Sequence, residues 1–381
     1  MAIGIFGGTF NPPHLGHLRL ARAFAARFSL QRVLVIPTFV PPHKQTPDLA
    51  NAEARVQMCR LLFDEAPFEV STMEIERGGR SYTVETLEAL HAQYPDEELY
   101  LLIGSDMLET LDTWHRAGDI RALCTVCAAV REKGKTLDAN GCVLLEDFDP
   151  IEISSTQVRE RVRLGLDVTD AVGEPVARFI AEKGLYADAY TPARKRLREK
   201  LGDYRLRHSF CVADAAQMLA ERYGADPEKA YFAGLLHDVM KDTPREDQRR
   251  MIENGGAVLT DAESANEKLW HAVAGEAYLR TQMGVRDPDV LNAVRYHTTG
   301  RAKMSLLEKI LYVADYMSAD REYNGVERMR RLAESSLEEA MLFGLSFTIS
   351  DLAQKEQIIH PDSVDCYNEI CMEMQKKGTY I

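Results

Sequence analysis

At 381 residues the chain exceeds what one ordinary core encloses, and domains of about 100–200 residues imply two or three of them. Its 45% hydrophobic and 28% charged content is that of a globular protein, and its apolar runs, such as 33–37 and 99–104, fall far short of the ~20 residues that span a bilayer, so no membrane partner is expected. A formal net charge of −13 argues against a general nucleic-acid binder, which needs a basic face, but leaves room for nucleotides where positive charge is gathered locally.

The chain opens without a basic n-region and runs straight into a glycine-rich motif, which predicts a cytoplasmic protein rather than one with a cleaved leader. Residues 2–6 read as a buried strand, 17–28 as a helix and 32–37 as the next strand. Helical periodicity returns over 54–65 and 83–93, with extended runs over 68–73, 98–104 and 122–130. Strands alternating with helices predict a parallel α/β sheet, whose ligands bind beyond the carboxyl ends of the strands. The seven cysteines sit mostly among apolar neighbours and suit reduced core thiols. Cys124 and Cys127 lie in the strand-like run ALCTVCAAV, with no second pair or nearby histidine to complete a zinc site.

The stretch GIFGGTFNPPHLGHLRLA, residues 4–21, places Gly7, Gly8 and Thr9 directly after the first strand, and His14 and His17 before or within the first helical turn. Glycines at a strand end let backbone N–H groups approach a phosphate, and the helix dipole is positive at the helix start. Imidazoles there donate to phosphoryl oxygens. A glycine pair alone reads as a tight turn; the pair together with two histidines reads as a phosphate site. Ser154, Ser155 and Thr156 precede a helical pattern and form an N-cap cluster with Arg159 one turn on, which by itself reads as a capped helix. Lys44 lies in a proline-stiffened loop, and Trp114 reads equally as core.

Gly7-Gly8-Thr9-Phe10 with His14-Leu15-Gly16-His17 resembles the signature of the His-x-Gly-His nucleotidyltransferases. Within that group, residues 1–188 are similar to the bacterial nicotinate mononucleotide adenylyltransferases, through VPPHK (40–44), SYTVETL (81–87), LLIGSDMLETLDTW (101–114) and ISSTQVRERV (153–162). Near Arg131 the chain reads VREKG, where the family usually has proline after the arginine. The resemblance implies a Rossmann-like domain with His14 and His17 as catalytic residues. It implies that ATP, with Mg²⁺, is bound by Gly7, Gly8, Thr9, Phe10, Lys44, Gly104, Ser105, Asp106, Arg131, Ser154, Ser155, Thr156 and Arg159, and nicotinate mononucleotide by Thr83 and Trp114. The acceptor's 5′-phosphate would attack the α-phosphorus in line and release pyrophosphate. Another acceptor phosphate, such as nicotinamide mononucleotide or phosphopantetheine, stays open.

After about residue 186 the β-branched runs stop, 187–193 carries the boundary, and an all-α domain is expected over 193–381. His208, His237, His271 and His297 each sit in a helical, largely apolar context, together with Asp238 and Asp315. One such histidine reads as core; this many polar groups in one core are too costly unless something binds them. Mixed imidazole and carboxylate ligands suit iron, manganese or zinc rather than calcium. The order His, His-Asp, Asp resembles the HD-domain phosphohydrolases, and residues 193–381 are similar to the YqeK family, which cleaves diadenosine tetraphosphate symmetrically into two ADP.

That second resemblance implies a dinuclear centre, of iron or else manganese or zinc. His208, His237, Asp238 and Asp315 would hold one metal, with Asp238 bridging to a second on His271 and His297. Asp238 and Lys241 would be catalytic, with Arg205, Lys241, Thr298 and Arg321 on phosphate oxygens and a metal-acidified water as nucleophile. A metal-stabilised regulatory module without turnover, or a different nucleotide substrate, remains an alternative. A homo-oligomer is compatible with the sequence.

Overall fold

The computed structural model describes residues 2–40, 48–129, 141–145 and 151–376. The chain divides into two compact units, Met1–Thr191 and Pro192–Ile381.

In the first unit six parallel strands form one sheet in the order β3-β2-β1-β4-β5-β6: β1 (Ala2–Gly8), β2 (Arg32–Pro37), β3 (Phe68–Val70), β4 (Glu98–Gly104), β5 (Thr125–Ala129) and β6 (Val143–Leu145). Side-chain alternation builds two cores. Ile3, Ile5, Leu34, Ile36, Leu99 and Leu101 fill one face, and Phe6, Val33, Val35 and Leu102 the other, the double burial that a parallel sheet requires. Helices α1 (Leu15–Arg27) and α2 (Ala52–Leu62) cover the second face through Leu18, Phe24, Met58 and Leu62. Helix α3 (Thr83–Gln93) covers the first through Val84, Leu87 and Leu90. Strand β1 pairs with β2 on one side and β4 on the other, so the sheet order reverses between β1 and β4, where such folds open a crevice. Gly8 and Gly104 end the two strands that flank it.

Several boundaries differ from the sequence reading. Helix α1 begins at Leu15 because His14, in extended backbone (φ −144°, ψ 167°), is its N-cap. The run read as extended over 122–130 divides into the end of a helix, Ala117–Leu123, and then β5. Both pieces are apolar, so periodicity does not separate them. Strand β3 stops at Val70 and Met73–Arg77 is helical; the three-residue β6 is too short to announce itself.

The second unit is helical, with no strand among the described residues. Five helices and the residues just past their ends carry His208, His237, Asp238, His271, His297 and Asp315: α4 (Asp203–Tyr223), α5 (Pro227–Leu236), α6 (Trp270–Gln282), α7 (Pro288–Tyr296) and α8 (Leu306–Met317). Helix α4 packs on α5 and α8, and α7 on α6 and α8. The α4–α5 crossing needs glycine at 234, where a Cβ would lie 2.7 Å from the Ala213 Cα. That approach brings the end of α5 onto the buried stripe of α4. No helix among the described residues is long and apolar enough to cross a membrane.

Candidate functional site

In the first unit Gly7 is exposed, and among the described residues nothing lies within 4 Å of where its Cβ would be. Space is therefore open beside the backbone at the carboxyl end of β1. His14 and His17, at the start of α1, stack with ring centroids 3.6 Å apart. The His14 backbone N–H donates to His17 Nδ1 at 3.1 Å, so the neutral ring of His17 carries its proton on Nε2. Phe10 packs edge-on against His17 at 5.2 Å. Glycine at 16 keeps this packing close: a Cβ there would lie 3.0 Å from His14 Nδ1 and 3.4 Å from the Ile151 carbonyl, so one of them would have to give.

Ser154 is the N-cap of the helix Ser155–Arg163, in a capping box with Gln157. Ser155 Oγ donates to the Pro12 carbonyl at 2.8 Å, and Arg159 donates to the Asn11 carbonyl at 2.8 Å and to Thr156 Oγ1 at 3.3 Å. A second helix N-terminus thus meets the same turn as α1. Asn11 is the hub of that turn, a buried residue the sequence reading passed over: its side chain joins the Asp48 carbonyl, the Ala50 N–H and the Tyr186 hydroxyl. Its signal was its place directly after GGTF, ahead of two prolines.

Thr83 opens α3 and Trp114 follows a short helical turn, both half-buried. Their neighbours Tyr82 and His115 touch, ring centroids 4.7 Å apart, which sets the two segments side by side. Gly104 ends β4. Lys44 and Arg131 lie outside the described residues, as do the side chains of Ser105 and Asp106.

In the second unit His208 lies in α4, His237 follows α5, His271 is the second residue of α6, His297 follows α7 and Asp315 lies in α8. Every imidazole has its Nδ1 proton committed. His237 Nδ1 donates to the Gly234 carbonyl at 2.7 Å, His271 to Lys268 at 2.8 Å and His297 to Val294 at 2.8 Å. His208 Nδ1 meets the carboxylate of Asp320 at 2.8 Å, which also accepts from Ser318 Oγ at 2.8 Å. Carbonyls and carboxylates only accept, so the remaining lone pair of each neutral ring is on Nε2.

These lone pairs face carboxylate oxygens. His208 Nε2 is 3.0 Å from Asp315 Oδ1, His271 Nε2 is 3.2 Å from Asp238 Oδ1, and His297 Nε2 is 3.6 Å from the same oxygen. Acceptors this close to one another need a cation between them. Among the described residues His237 Nε2 and Asp238 Oδ1 are buried with no hydrogen-bond partner, which fits ligand atoms rather than core atoms. Two overlapping groups, His208-His237-Asp315 and His237-Asp238-His297, each bring their donor atoms within 4.8 Å of one another.

Protein cations surround the carboxylates. Arg321 pairs with Asp315 and reaches His208 Nε2 at 3.3 Å. Arg205 stands 3.7 Å from Asp238. Lys241 Nζ is 2.9 Å from His271 Nε2 and 3.6 Å from Asp238. Thr298 Oγ1 is 3.1 Å from His297 Nε2. Burial pushes His237 and His271 down to about 4, which keeps both rings neutral. Burial acts upward on Asp238 and Asp315, but neighbouring imidazoles outweigh it for both, with Arg321 adding to the effect at Asp315, and hold them well below the usual carboxylate range. Burial also lowers Lys241, against the pull of Asp238 and Asp315. Sequence reasoning missed Asp320, one acidic residue in a polar turn five positions after Asp315.

The chain matches the cytidylyltransferase-like family over residues 5–161 and the HD domain family over residues 205–320. A Geobacillus thermodenitrificans protein named "Probable nicotinate-nucleotide adenylyltransferase" is 40% identical over 185 residues, 48% of this chain and 85% of its own length. A Bacillus subtilis protein named symmetrical bis(5′-nucleosyl)-tetraphosphatase is 40% identical over 174 residues, 45% of this chain and 92% of its own length. A crystal structure from Clostridium acetobutylicum, described as an HD superfamily hydrolase involved in NAD metabolism, is 38% identical and covers 49% of this chain and 98% of its own, with a TM-score of 0.48. The chain therefore joins two families in one polypeptide: its first half belongs with the nicotinate-nucleotide adenylyltransferases of the cytidylyltransferase-like family, and its second with the symmetrical bis(5′-nucleosyl)-tetraphosphatases of the HD family.

Proposed function

We propose that the protein is a bifunctional nucleotide enzyme of the cytoplasm. Residues 1–188 transfer the adenylyl group of ATP to nicotinate mononucleotide, and residues 193–381 hydrolyse diadenosine tetraphosphate to two ADP. The first reading rests on the stacked His14–His17 pair beside a glycine strand end and a second helix N-terminus. The acceptor's 5′-phosphate oxygen bonds to the α-phosphorus of ATP while the bond from that phosphorus to the bridging oxygen breaks, and pyrophosphate leaves; a bound Mg²⁺ would offset the charge of that leaving group. His17 donates Nε2–H to the oxygen where charge grows, and His14, stacked on it, keeps that donor in place. Backbone N–H groups of Gly7, Gly8, Thr9 and Phe10, with Ser154, Ser155, Thr156 and Arg159, hold the polyphosphate. Gly104, Ser105, Asp106, Lys44 and Arg131 complete the ATP side, and Thr83 and Trp114 take the pyridine ring and its carboxylate.

The second reading rests on the four imidazoles whose committed Nδ1 protons turn Nε2 toward Asp238 and Asp315. His208, His237, Asp238 and Asp315 would hold a divalent ion, with iron, manganese or zinc all suiting the donors, and it would supply Lewis-acid activation of water and offset phosphate charge. Asp238, His271 and His297 offer a second place, which an ion can share only if Lys241 moves off His271. Arg205, Lys241, Thr298 and Arg321 take phosphate oxygens. Water oxygen bonds to one inner phosphorus, the bond to the central bridging oxygen breaks, and each half leaves as ADP.

Product analysis tests both halves. With ATP, the protein should make dinucleotide from nicotinate mononucleotide in preference to nicotinamide mononucleotide; equal or reversed preference removes the carboxylate assignment. With diadenosine tetraphosphate and Mn²⁺ or Fe²⁺, ADP should be the sole product; ATP plus AMP would remove symmetrical cleavage.

A further inference from the structure

Helix α2 carries a charged residue on its apolar stripe. Arg55 precedes Cys59 by four positions and Leu62 by seven, the spacing of one helix face, and it is 1% exposed. Its guanidinium donates to backbone carbonyls: Ala50 at 3.0 Å, Thr9 at 2.9 Å, Thr38 at 2.6 Å and Phe39 at 3.1 Å. Among the described residues, no acidic side chain pairs with it. The titratable groups nearest in effect are Cys59 and Tyr186, and burial pushes both far up, so neither supplies a negative charge. A buried cation without a counterion is costly unless something answers it. The Thr9 carbonyl that Arg55 holds belongs to the turn after β1, where the backbone beside Gly7 is open.

We propose that Arg55 is a positioning residue of the nucleotide site: it clamps the turn after β1 against the end of β2, and the polyphosphate of the bound nucleoside triphosphate is the counterion for its buried charge. This deepens the reading of the first half as an ATP-dependent nucleotidyltransferase and rests on it. The clamp engages the Thr9, Thr38 and Phe39 carbonyls with the guanidinium, so that they need not face the anion. The guanidinium is buried and 2.9 Å from the Thr9 carbonyl of the same turn, so water screens its charge little there. Arg55 does not touch the reacting atoms.

The test uses the full chain, inorganic tripolyphosphate as the probe, and the variants Arg55→Met and Arg55→Lys. Wild type should bind tripolyphosphate. Arg55→Met should weaken that binding roughly tenfold or more and raise the KM for ATP in step, with a smaller change in kcat. Arg55→Lys keeps the charge and loses the fork, so it should bind tripolyphosphate within about threefold of wild type while melting at a lower temperature. A folded Arg55→Met whose tripolyphosphate affinity stays within about twofold of wild type overturns the proposal. So does an Arg55→Lys as weak as Arg55→Met, which would leave only a structural clamp. If Arg55→Met does not fold, the lysine variant decides: near-wild-type affinity supports the proposal, and a loss of roughly tenfold or more ends it. A wild-type protein that binds neither ATP nor tripolyphosphate overturns the nucleotidyltransferase reading itself, a different result from an indifferent Arg55.

Discussion

In the reading proposed for the first unit, the groups offered to phosphates are mostly main-chain N–H donors, at the end of β1 and at two helix starts, and the stacked His14 and His17 add the reactive side-chain contacts. At the second, six side chains from five helices and their ends converge, each imidazole locked by the Nδ1–H it donates. The contrast follows from the chemistry each half performs. Bringing two polyanions together for an in-line transfer needs position and positive potential, which backbone dipoles supply. Activating a water needs ligand lone pairs fixed in direction, which only side chains with set tautomers supply.

The largest effect that separates the two sites is expected from Asp238→Ala. Asp238 faces His237, His271, His297, Lys241 and Arg205, so its loss should remove bound metal and abolish hydrolysis while dinucleotide synthesis continues; assays of both products with metal analysis check this. Next comes His17→Ala, which should lower the kcat of synthesis by about 10²–10³ and leave metal content and hydrolysis unchanged. A smaller effect should come from Asp320→Ala, which removes the carboxylate holding His208 Nδ1. Titration of the stripped protein should show metal affinity reduced by about 10–100-fold; unchanged affinity would mean that His208 needs no orienting partner.

The pH response of metal-stripped protein should be smaller still. His237 and His271 sit at about 4 in the fold, below the ordinary value of about 6.5, so the unfolded chain binds more protons between those values and stability rises with pH across that window. It is lost as pH falls from about 6.5 toward 4. His208 opposes this: burial lowers it, but Asp315 outweighs burial and raises it. With two histidines against one, the melting temperature of the stripped second unit should fall between pH 7 and 5, and a rise would mean that the rings are charged in the fold.

The side chains around Asp238 and Asp315 were legible in sequence because histidines on apolar helix faces are rare and four came in succession. Asp320 was not, because an acidic residue in the turn SADRE looks like ordinary solvated charge until the fold carries it to His208. Asn11 and Arg55 escaped for another reason. Motifs mark what touches a ligand, whereas these two hold the turn from behind. The parallel α/β sheet followed from strands alternating with helices along the chain; its strand order, β3-β2-β1-β4-β5-β6, did not, because alternation tells which face a side chain occupies and not which strands are neighbours. The division of 122–130 did not, since a buried helix end and a buried strand share the same apolar composition. Arg321, read as a phosphate contact, is found paired with Asp315, a partner that spacing alone could not name.

The central claim, two separate chemistries in one chain, is tested most directly on a single sample of wild-type protein, by measuring both reactions before and after transition metals are stripped and Mg²⁺ alone is restored. The account predicts that synthesis of the dinucleotide is unchanged, while hydrolysis of diadenosine tetraphosphate disappears and returns with Mn²⁺ or Fe²⁺. Both activities falling together, or hydrolysis persisting in Mg²⁺ alone, would contradict it.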